Sequence, residues 1–241
     1  MEISYETKYH IIERDNWWFK ARRNLILNII NAGKDSKIID IGCSGGLLLA
    51  ELKSKGYNNV YGLDISKQAI EICKKSGLKN TFVGNALKTD FEDESFDVII
   101  ASDVLEHLND DKKALSEWNR ILRKNGKIIL FVPAFQFLWS DHDVVNNHIK
   151  RYNKKDLIKL AESQNLNINR MSFWNFCLFL PSAINKIAKR LIKTAKKKDD
   201  FYSVNEKTNN MLYALLKFEN KVIKSGMNFP MGVSIFTIYK K

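Results

Sequence analysis

The segment Ile38–Gly46, IIDIGCSGG, constrains the fold of this chain more than any other part of the sequence. An apolar run that ends in a cluster of glycines is typical of a buried strand that turns tightly into a helix. The first backbone N–H groups of such a helix have no partner within it, and they favour negative or polar ligand groups. The segment therefore predicts either a ligand cradle or a tight strand–helix turn that binds nothing.

The rest of the chain alternates short apolar runs with amphipathic stretches. Strands are predicted at Lys37–Ile41, Asn59–Leu63, Thr81–Val83, Phe96–Ala101, Lys127–Val132, Asn167–Phe173 and Gly232–Tyr239, and helices at Lys67–Lys75, Asp111–Arg123 and Lys154–Ser163. Strands that are apolar throughout indicate a parallel sheet covered by helices on both faces. Because crossover connections are right-handed, the pattern predicts a doubly wound α/β sheet.

Four regions follow from this alternation. Residues 1–35 are predicted to form an N-terminal helical lid, and residues 36–173 form the α/β core. Residues 174–228 have a helical pattern without strands, which predicts a helical cap inserted before the last strand. Residues 229–241 return to the core as that final strand.

Composition excludes several classes of protein. Hydrophobic residues make up 45% and charged residues 27% of the chain, as in ordinary soluble domains. No apolar run approaches the roughly 20 residues of a membrane span, and the N-terminus lacks the pattern of a signal peptide. The 3 cysteines form no CxxC pair, which argues against a zinc site or redox dithiol and fits a reducing compartment. We therefore expect a cytoplasmic protein.

The spacing of the glycines distinguishes between nucleotide-binding classes. A dinucleotide fingerprint has glycine at its first, third and sixth positions, which here hold Gly42, Ser44 and Leu47. Two of the three positions lack glycine, which argues against an NAD(P)-dependent oxidoreductase and leaves that enzyme class as an alternative. A P-loop is excluded because no GK[ST] follows the turn.

Polar residues follow the next predicted strands as well. Asp64 lies 22 residues after Gly42, where a carboxylate can accept both hydroxyls of a ribose. The alternative is that it caps the helix that starts near Ser66. Residues 84–86, GNA, and 102–108, SDVLEHL, follow the third and fourth strands. Ligands of open α/β sheets bind beyond the carboxyl ends of the strands, so these groups are predicted to surround one ligand.

Five motifs in this order make the chain resemble the class I S-adenosylmethionine-dependent methyltransferases. They are DIGCSGG, GLDIS, GNA, FEDESFDVIIASDVLEHL and RILRKNGKIILFVPA, and the resemblance covers about residues 36–173 and the last strand. It implies a Rossmann-like methyltransferase fold with seven strands, mostly parallel, of which the last is antiparallel. It also implies S-adenosylmethionine as the cofactor and methyl transfer as the activity.

The resemblance assigns the cofactor site to residues at four strand ends. These are Asp40, Gly42, Ser44, Gly46, Asp64, Ile65, Asn85, Ala86, Ser102 and Asp103. It implies that Asp64 accepts the ribose hydroxyls, Ile65 packs on the adenine and Asn85 contacts the adenine amine. Two positions depart from the family pattern, because Ser44 replaces its middle glycine and Asn85 its usual acidic residue.

The acceptor side is predicted from two segments. The N-terminal YHIIERDNWWFKARR resembles a segment of one group of these enzymes, in which the aromatic residues 17–19 would cover the cofactor cleft. Arg22 or Arg23 would pair either the methionine carboxylate or an anionic substrate, and Trp18 and Arg22 are the predicted substrate contacts. The alternative is that the aromatic residues pack a helix and the arginine is solvated. Residues 139–152 follow the fifth strand, and Arg151 and Tyr152 within them are predicted to bind the acceptor.

Two histidines of the same segment, His148 and His142, are the candidate catalytic bases. An imidazole titrates near neutral pH and suits the deprotonation of an acceptor hydroxyl. The alternative for each is a structural histidine. No metal site is predicted, because these histidines match no known ligand spacing with Asp141 or Asp143.

The cap contains a basic amphipathic segment, Ser182–Lys198, in which Ile184 and Ile187 share a face and no acidic residue occurs. It follows an aromatic cluster, so 174–198 is predicted either to contact an anionic membrane or to be an ordinary cap helix. The expected acceptor is a small or lipid-like molecule, and nucleic acid is disfavoured for lack of regular aromatic interleaving. A non-catalytic methyltransferase-like module that binds membrane or nucleic acid is the alternative function.

Overall fold

The computed structural model describes residues 12–192 and 204–241. The parts of the predicted lid and cap that fall on residues 1–11 and 193–203 lie outside the described residues. The strands are β1 (Ile38–Ile41), β2 (Val60–Asp64), β3 (Thr81–Val83), β4 (Phe96–Ser102), β5 (Leu122–Pro133), β6 (Asn167–Trp174) and β7 (Ser234–Lys240). The helices are α1 (Trp17–Ile29), α2 (Leu47–Ser54), α3 (Lys67–Lys75), α4 (Asp111–Ile121), α5 (Asp141–Val145), α6 (Lys154–Glu162), α7 (Phe179–Ile192) and α8 (Glu206–Lys224).

All seven strands form one sheet in the order β3-β2-β1-β4-β5-β7-β6. The first five strands pair in parallel, whereas β7 enters between β5 and β6 and pairs antiparallel with both. The predicted fold class, a doubly wound and mostly parallel sheet with an antiparallel last strand, is confirmed. This topology places the carboxyl ends of β1, β2, β3 and β4 at one edge.

Apolar side chains fill a separate core on each face of the sheet. Neighbouring strand residues point to opposite faces, so Ile38 packs under α1 and α8 while Ile39 packs under α4 and α6. Both isoleucines are fully buried. This two-sided burial explains why the strands are apolar throughout and not alternating.

The predicted helix Asp111–Arg123 is two residues too long. The chain leaves α4 at Ile121, and Leu122 already pairs with Phe96 at the start of β5. Asn125 and Gly126 lie inside this strand, which begins before the predicted Lys127, and the register with β4 shifts between Phe96 and Val98. Pairing with β4 therefore overrides the helical pattern of the local sequence.

Two polar residues of α8 bind the N-terminal helix and the segment that follows β6. The Asn220 side chain accepts from Trp174 Nε1 at 2.9 Å and donates to the Ala21 carbonyl at 2.7 Å. Beside it, the buried Glu219 carboxylate accepts from the N–H groups of residues 175–177. These bonds hold α1 against the sheet, so its side chains lie over the strand ends.

None of the described helices combines the length and the apolar character needed to cross a bilayer.

Candidate functional site

The glycine turn after β1 is built by positive backbone dihedrals. Gly42 and Gly46 have φ of 76° and 79°, and Ser44 between them has a φ of 49°. A Cβ on Gly42 would lie 2.4 Å from the Val104 side chain, and a Cβ on Gly46 would lie 2.4 Å from Leu78. Backbone conformation and close packing therefore require these two glycines, whereas Ser44 adopts a left-handed conformation as a non-glycine residue.

Asp64 connects this turn to the next strand end. Its two carboxylate oxygens accept from the Ser44 and Ser66 backbone N–H groups, each at 2.9 Å. The helix cap is Ser66, whose hydroxyl accepts from Ala69 N, so Asp64 is not the N-cap of α3. The half-buried carboxylate is thus held in a fixed orientation at the carboxyl end of β2.

Three acidic side chains meet at this position. Burial, and then the negative charges of Glu13 and Asp64, raise the pKa of Asp40 well above its ordinary value. Glu13 also accepts from the Ser44 hydroxyl at 2.8 Å. Such a concentration of carboxylates favours a ligand that carries positive charge, as the sulfonium and ammonium groups of S-adenosylmethionine do. Ile65 next to Asp64 is 77% exposed and offers an apolar surface to a base, so the residues present fit this cofactor.

The other predicted cofactor residues lie at the neighbouring strand ends. The Asn85 side chain accepts from Leu87 N at 2.8 Å, and the Ala86 carbonyl accepts from Trp118 Nε1, which fixes the turn after β3. Ser102 is the last residue of β4, and Asp103 directly after it has a φ of 57°. The structure thus brings all ten of these residues to one edge of the sheet.

Arg22 reaches this edge from α1. It forms an ion pair with Asp103, donates to the Ser102 hydroxyl and is almost completely buried. Its guanidinium carbon lies 3.6 Å from the centre of the Trp18 ring, a cation–π contact. The structure therefore excludes the solvated arginine and places Arg22 and Trp18 beside the end of β4.

A cavity of about 240 Å³ lies between α1, the ends of β5 and β7, α5 and α7. Its lining combines aromatic and apolar groups with ionisable ones. The lining residues include Trp17, Trp18, Phe19, Asp103, His107, Pro133, His142, Asn146, His148, Arg151, Lys186 and Val233. Four predicted acceptor-side residues, Trp18, His142, His148 and Arg151, therefore line one cavity.

Asp143 organises the polar side of this cavity. The fully buried carboxylate accepts from His148 Nδ1 at 2.9 Å and from Arg151 Nε and Nη2 at 2.8 and 3.0 Å. Burial opposes its charge, but the His148 hydrogen bond and the Arg151 charge hold the pKa of Asp143 below its ordinary value. With Nδ1 bound to a carboxylate, Nε2 is the His148 nitrogen left to accept a proton.

The remaining predicted residues have different surroundings. Burial lowers the pKa of His142 to about 4, and its ring lies against the Asn146 amide at 3.2 Å. Tyr152 is fully buried, and its hydroxyl donates to the Leu105 carbonyl at 3.2 Å. Tyr152 is not among the described residues that line the cavity, so the structure separates it from Arg151.

Two charged residues at or beside the cavity, Lys186 and Glu106, are not among the site residues predicted from the sequence. Lys186 of α7 donates to the Leu138 carbonyl at 3.0 Å and lines the cavity. Glu106 is fully buried, and burial raises its pKa to about 7. Neither of its carboxylate oxygens has a hydrogen-bond partner among the described residues. A charge inside the run SDVLEHL is the sequence signal that could have identified Glu106.

Sequence comparison places this architecture among known proteins. The Methyltransf_11 family, described as a methyltransferase domain, matches residues 39–130. The chain is 29% identical to a ubiquinone biosynthesis O-methyltransferase of Pelagibacter ubique over 59% of this chain and 66% of that protein. It is 34% identical to an uncharacterized protein of Methanocaldococcus jannaschii over 70% of each. The residues that the family model matches include the glycine turn and the carboxyl ends of β1, β2, β3 and β4.

Structural comparison agrees at the level of the fold. An S-adenosylmethionine-dependent methyltransferase from Archaeoglobus fulgidus superposes with a TM-score of 0.61 at 19% identity, covering 97% of this chain and 99% of that one. The seven-stranded sheet of this chain, the family match and the sequence relatives agree on one assignment. The chain belongs to the class I methyltransferases, whose cofactor is S-adenosylmethionine.

Proposed function

We propose that this chain transfers the methyl group of S-adenosylmethionine to a hydroxyl of a small, lipid-like acceptor. The observation that carries the proposal is the His148–Asp143 pair in a cavity that Asp103 also lines. Asp103 directly follows β4 at the edge of the sheet where the cofactor is proposed to bind, which supports an acceptor site in this cavity.

On the cofactor side, Asp64 is proposed to accept the ribose hydroxyls, and Ile65 to support the adenine. Asp40 and its acidic neighbours favour the cationic end of the cofactor. The cofactor supplies an activated sulfonium methyl group when bound. What remains for the protein is to place the acceptor in line with that group and to exclude water.

On the acceptor side, His148 is proposed to take the hydroxyl proton at Nε2. Asp143 fixes the ring through Nδ1 and stabilises the imidazolium that results. The aromatic side chains of Trp17, Trp18 and Phe19 cover the cavity from α1 and limit its access to water. His142 is the second candidate, and its lowered pKa makes it the weaker base.

The size of the cavity and the relatives both favour a small acceptor. The cavity is slightly smaller than the roughly 300–1,000 Å³ of typical small-molecule sites, which suits a single ring better than a nucleic acid or a protein. The relative from Pelagibacter ubique is named an O-methyltransferase of ubiquinone biosynthesis, which supports a hydroxyl on a lipid-like molecule as the acceptor class.

Calorimetry and label transfer test this function. We expect micromolar binding of S-adenosylhomocysteine, and transfer of a labelled methyl group from S-adenosylmethionine to the phenolic oxygen of a prenylated catechol. Absence of cofactor binding at millimolar concentration would contradict the proposal. RNA or vesicle binding that weakens with salt, without any methyl transfer, would favour the non-catalytic module instead.

We further propose that α7 contacts an anionic membrane next to the cavity. Phe179 and Ala183 face inward, whereas Leu180 and Ile184 are 64% and 67% exposed. Phe137, which packs near the same helix, is 47% exposed. Because Lys186 of this helix lines the cavity, a lipid-like acceptor has a short path from such a surface to the site.

The paired substitution Leu180→Ser with Ile184→Ser is expected to weaken binding to phosphatidylglycerol vesicles by at least tenfold. Each side chain contributes about 1.5 kcal/mol when it leaves water, and neither is buried in the protein. Vesicle sedimentation measures the effect. Phe218→Ser is the control, because Phe218 on α8 is also 64% exposed. Equal vesicle binding by the wild type, the paired variant and Phe218→Ser would refute the membrane contact of α7.

A further inference from the structure

We propose that Glu106, His107 and His148 bind a divalent first-row transition-metal cation beside the acceptor cavity. One carboxylate oxygen and one ring nitrogen from each histidine lie within 4.8 Å of one another. His107 and His148 line the cavity, and their ring centres are 4.8 Å apart at an interplanar angle of 85°. Three ligand atoms of the types that bind such metals therefore converge at one point.

Glu106 is the first observation that points to a ligand at this position. Its side chain is fully buried, and neither carboxylate oxygen has a hydrogen-bond partner among the described residues. Burying a carboxylate without partners costs several kcal/mol, so buried acids are normally paired, hydrogen-bonded or bound to a metal. The His148 ring and the charged Arg22 and Arg151 are close enough to interact with the carboxylate, but none of them hydrogen-bonds to it. A cation held by the two histidines would contact the carboxylate directly.

The surroundings of the histidines provide a second observation. His148 donates Nδ1–H to the buried Asp143, which leaves Nε2 as the atom available to a metal. The His107 ring lies beside the backbone of Asn146 and Asn147. Metal-bound histidines typically donate their other N–H to a carboxylate or a backbone carbonyl in this way, because that bond fixes the orientation of the ring.

The backbone holds these ligands in place from both sides. Glu106 and His107 lie in a short 3-10 turn, Leu105–His107, that follows β4. The Glu106 carbonyl accepts from Ile149 N at 2.7 Å, which ties this turn to the residue after His148. Tetrahedral ligand atoms that lie about 2.1 Å from a metal are about 3.4 Å from one another. Side-chain rotations that move each of the three ligand atoms by about 1 Å would bring them from their present separation to this spacing.

The ligand set indicates which cation fits. Two imidazoles and one carboxylate favour zinc, manganese or cobalt over magnesium and calcium, which prefer oxygen ligands alone. Three protein ligands leave at least one coordination position open towards the cavity. An acceptor hydroxyl at that position loses its proton to water more readily, and the oxygen then takes the methyl group.

This inference deepens the proposed function and rests on it for the role of the acceptor, but cation binding is independent of it. With a cation bound, His148 is a ligand, and the cation takes over the activation of the hydroxyl. Without a cation, His148 remains the proton acceptor.

Calorimetric titration of untagged, chelator-treated protein with Mn²⁺ and Zn²⁺ tests the site. We expect one cation per chain with a micromolar or lower dissociation constant. Glu106→Gln and His107→Gln should each weaken binding at least tenfold. Asp141→Asn is the matched control, since Asp141 is an exposed carboxylate of α5 outside the three-residue cluster, and it should bind as the wild type does.

Thermal unfolding separates loss of the site from loss of the fold. Without a cation, Glu106→Gln should unfold no earlier than the wild type, because the substitution removes a buried charge. Mn²⁺ should raise the unfolding temperature of the wild type and of Asp141→Asn but not of Glu106→Gln. Absence of binding at 1 mM cation, or equal binding by the Gln variants, would overturn the site.

Activity distinguishes this inference from the proposed function. Undiminished methyl transfer by the chelator-treated wild type would overturn the catalytic part of the inference and leave the methyltransferase function standing. Failure to bind S-adenosylhomocysteine would overturn the function, while the calorimetric result with Mn²⁺ would still decide the cation site.

Discussion

Replacement of Asp64 by alanine is expected to weaken the binding of S-adenosylhomocysteine about 100-fold. A hydrogen bond to a charged group contributes about 1.5–3 kcal/mol, and the proposed contact uses two ribose hydroxyls. A 100-fold loss corresponds to about 2.7 kcal/mol, which is slightly less than the roughly 3 kcal/mol that two such bonds supply at the least. Calorimetry with the purified variant measures the change directly.

The control for this variant must separate the ligand contact from the shape of the turn. Asp64 also accepts from the Ser44 and Ser66 N–H groups, so its loss loosens the turn as well. Ser66→Ala removes the α3 cap on the same turn, which costs about 1 kcal/mol of stability, and it should leave the ligand affinity within threefold of the wild type. Unchanged affinity in Asp64→Ala would refute the ribose assignment.

The parts of the fold that sequence predicts well are those in which local pattern and tertiary burial agree. Ile38 and Ile39 are both apolar because each strand of this sheet is covered on two faces. At Arg123 the local pattern and the tertiary structure disagree. The residue continues a helical pattern, but it belongs to β5 and its side chain forms an ion pair with Asp97. Strand pairing is a long-range effect that the helical period of a single segment does not contain.

The candidate site divides in a similar way. Spacing along the chain places Asp64 opposite the glycine turn, because both follow neighbouring parallel strands. It does not show that Tyr152 points into the core while Arg151 points to the cavity. Adjacent residues of an extended segment face opposite sides, and which side is inward depends on the partner strand.

The sequence does not predict the cluster of Glu106, His107 and His148, for a related reason. Two of its members are adjacent in sequence, and the third, His148, follows the next strand of the sheet. Known metal-ligand spacings describe ligands on one helix or loop, so they do not reveal a site assembled from two strand ends. The buried charge of Glu106 is visible only when the fold shows that it has no partner.

The largest effect on catalysis is expected for His148→Gln, with kcat about 100-fold lower in chelator-treated enzyme. General-base catalysis contributes about 10²–10⁴-fold, and glutamine fills a similar volume without accepting the proton. Because Nδ1 of His148 is fixed by Asp143, the ring is oriented for this role, whereas His142 is held against Asn146 and has its pKa lowered to about 4. His142→Gln should therefore lower kcat less than tenfold.

Two measurements on both histidine variants, ligand affinity and single-turnover rate, make this comparison decisive. The dissociation constant of S-adenosylhomocysteine should stay within threefold of the wild type in both variants, because neither histidine lies at the proposed cofactor contacts. Single-turnover rates with the same acceptor then report on the chemical step alone. Equal losses in the two variants would refute the assignment of His148 as the base. A loss in His148→Gln that appears only when Mn²⁺ is present would instead assign its role to holding the cation, because the chelator-treated enzyme relies on the imidazole alone.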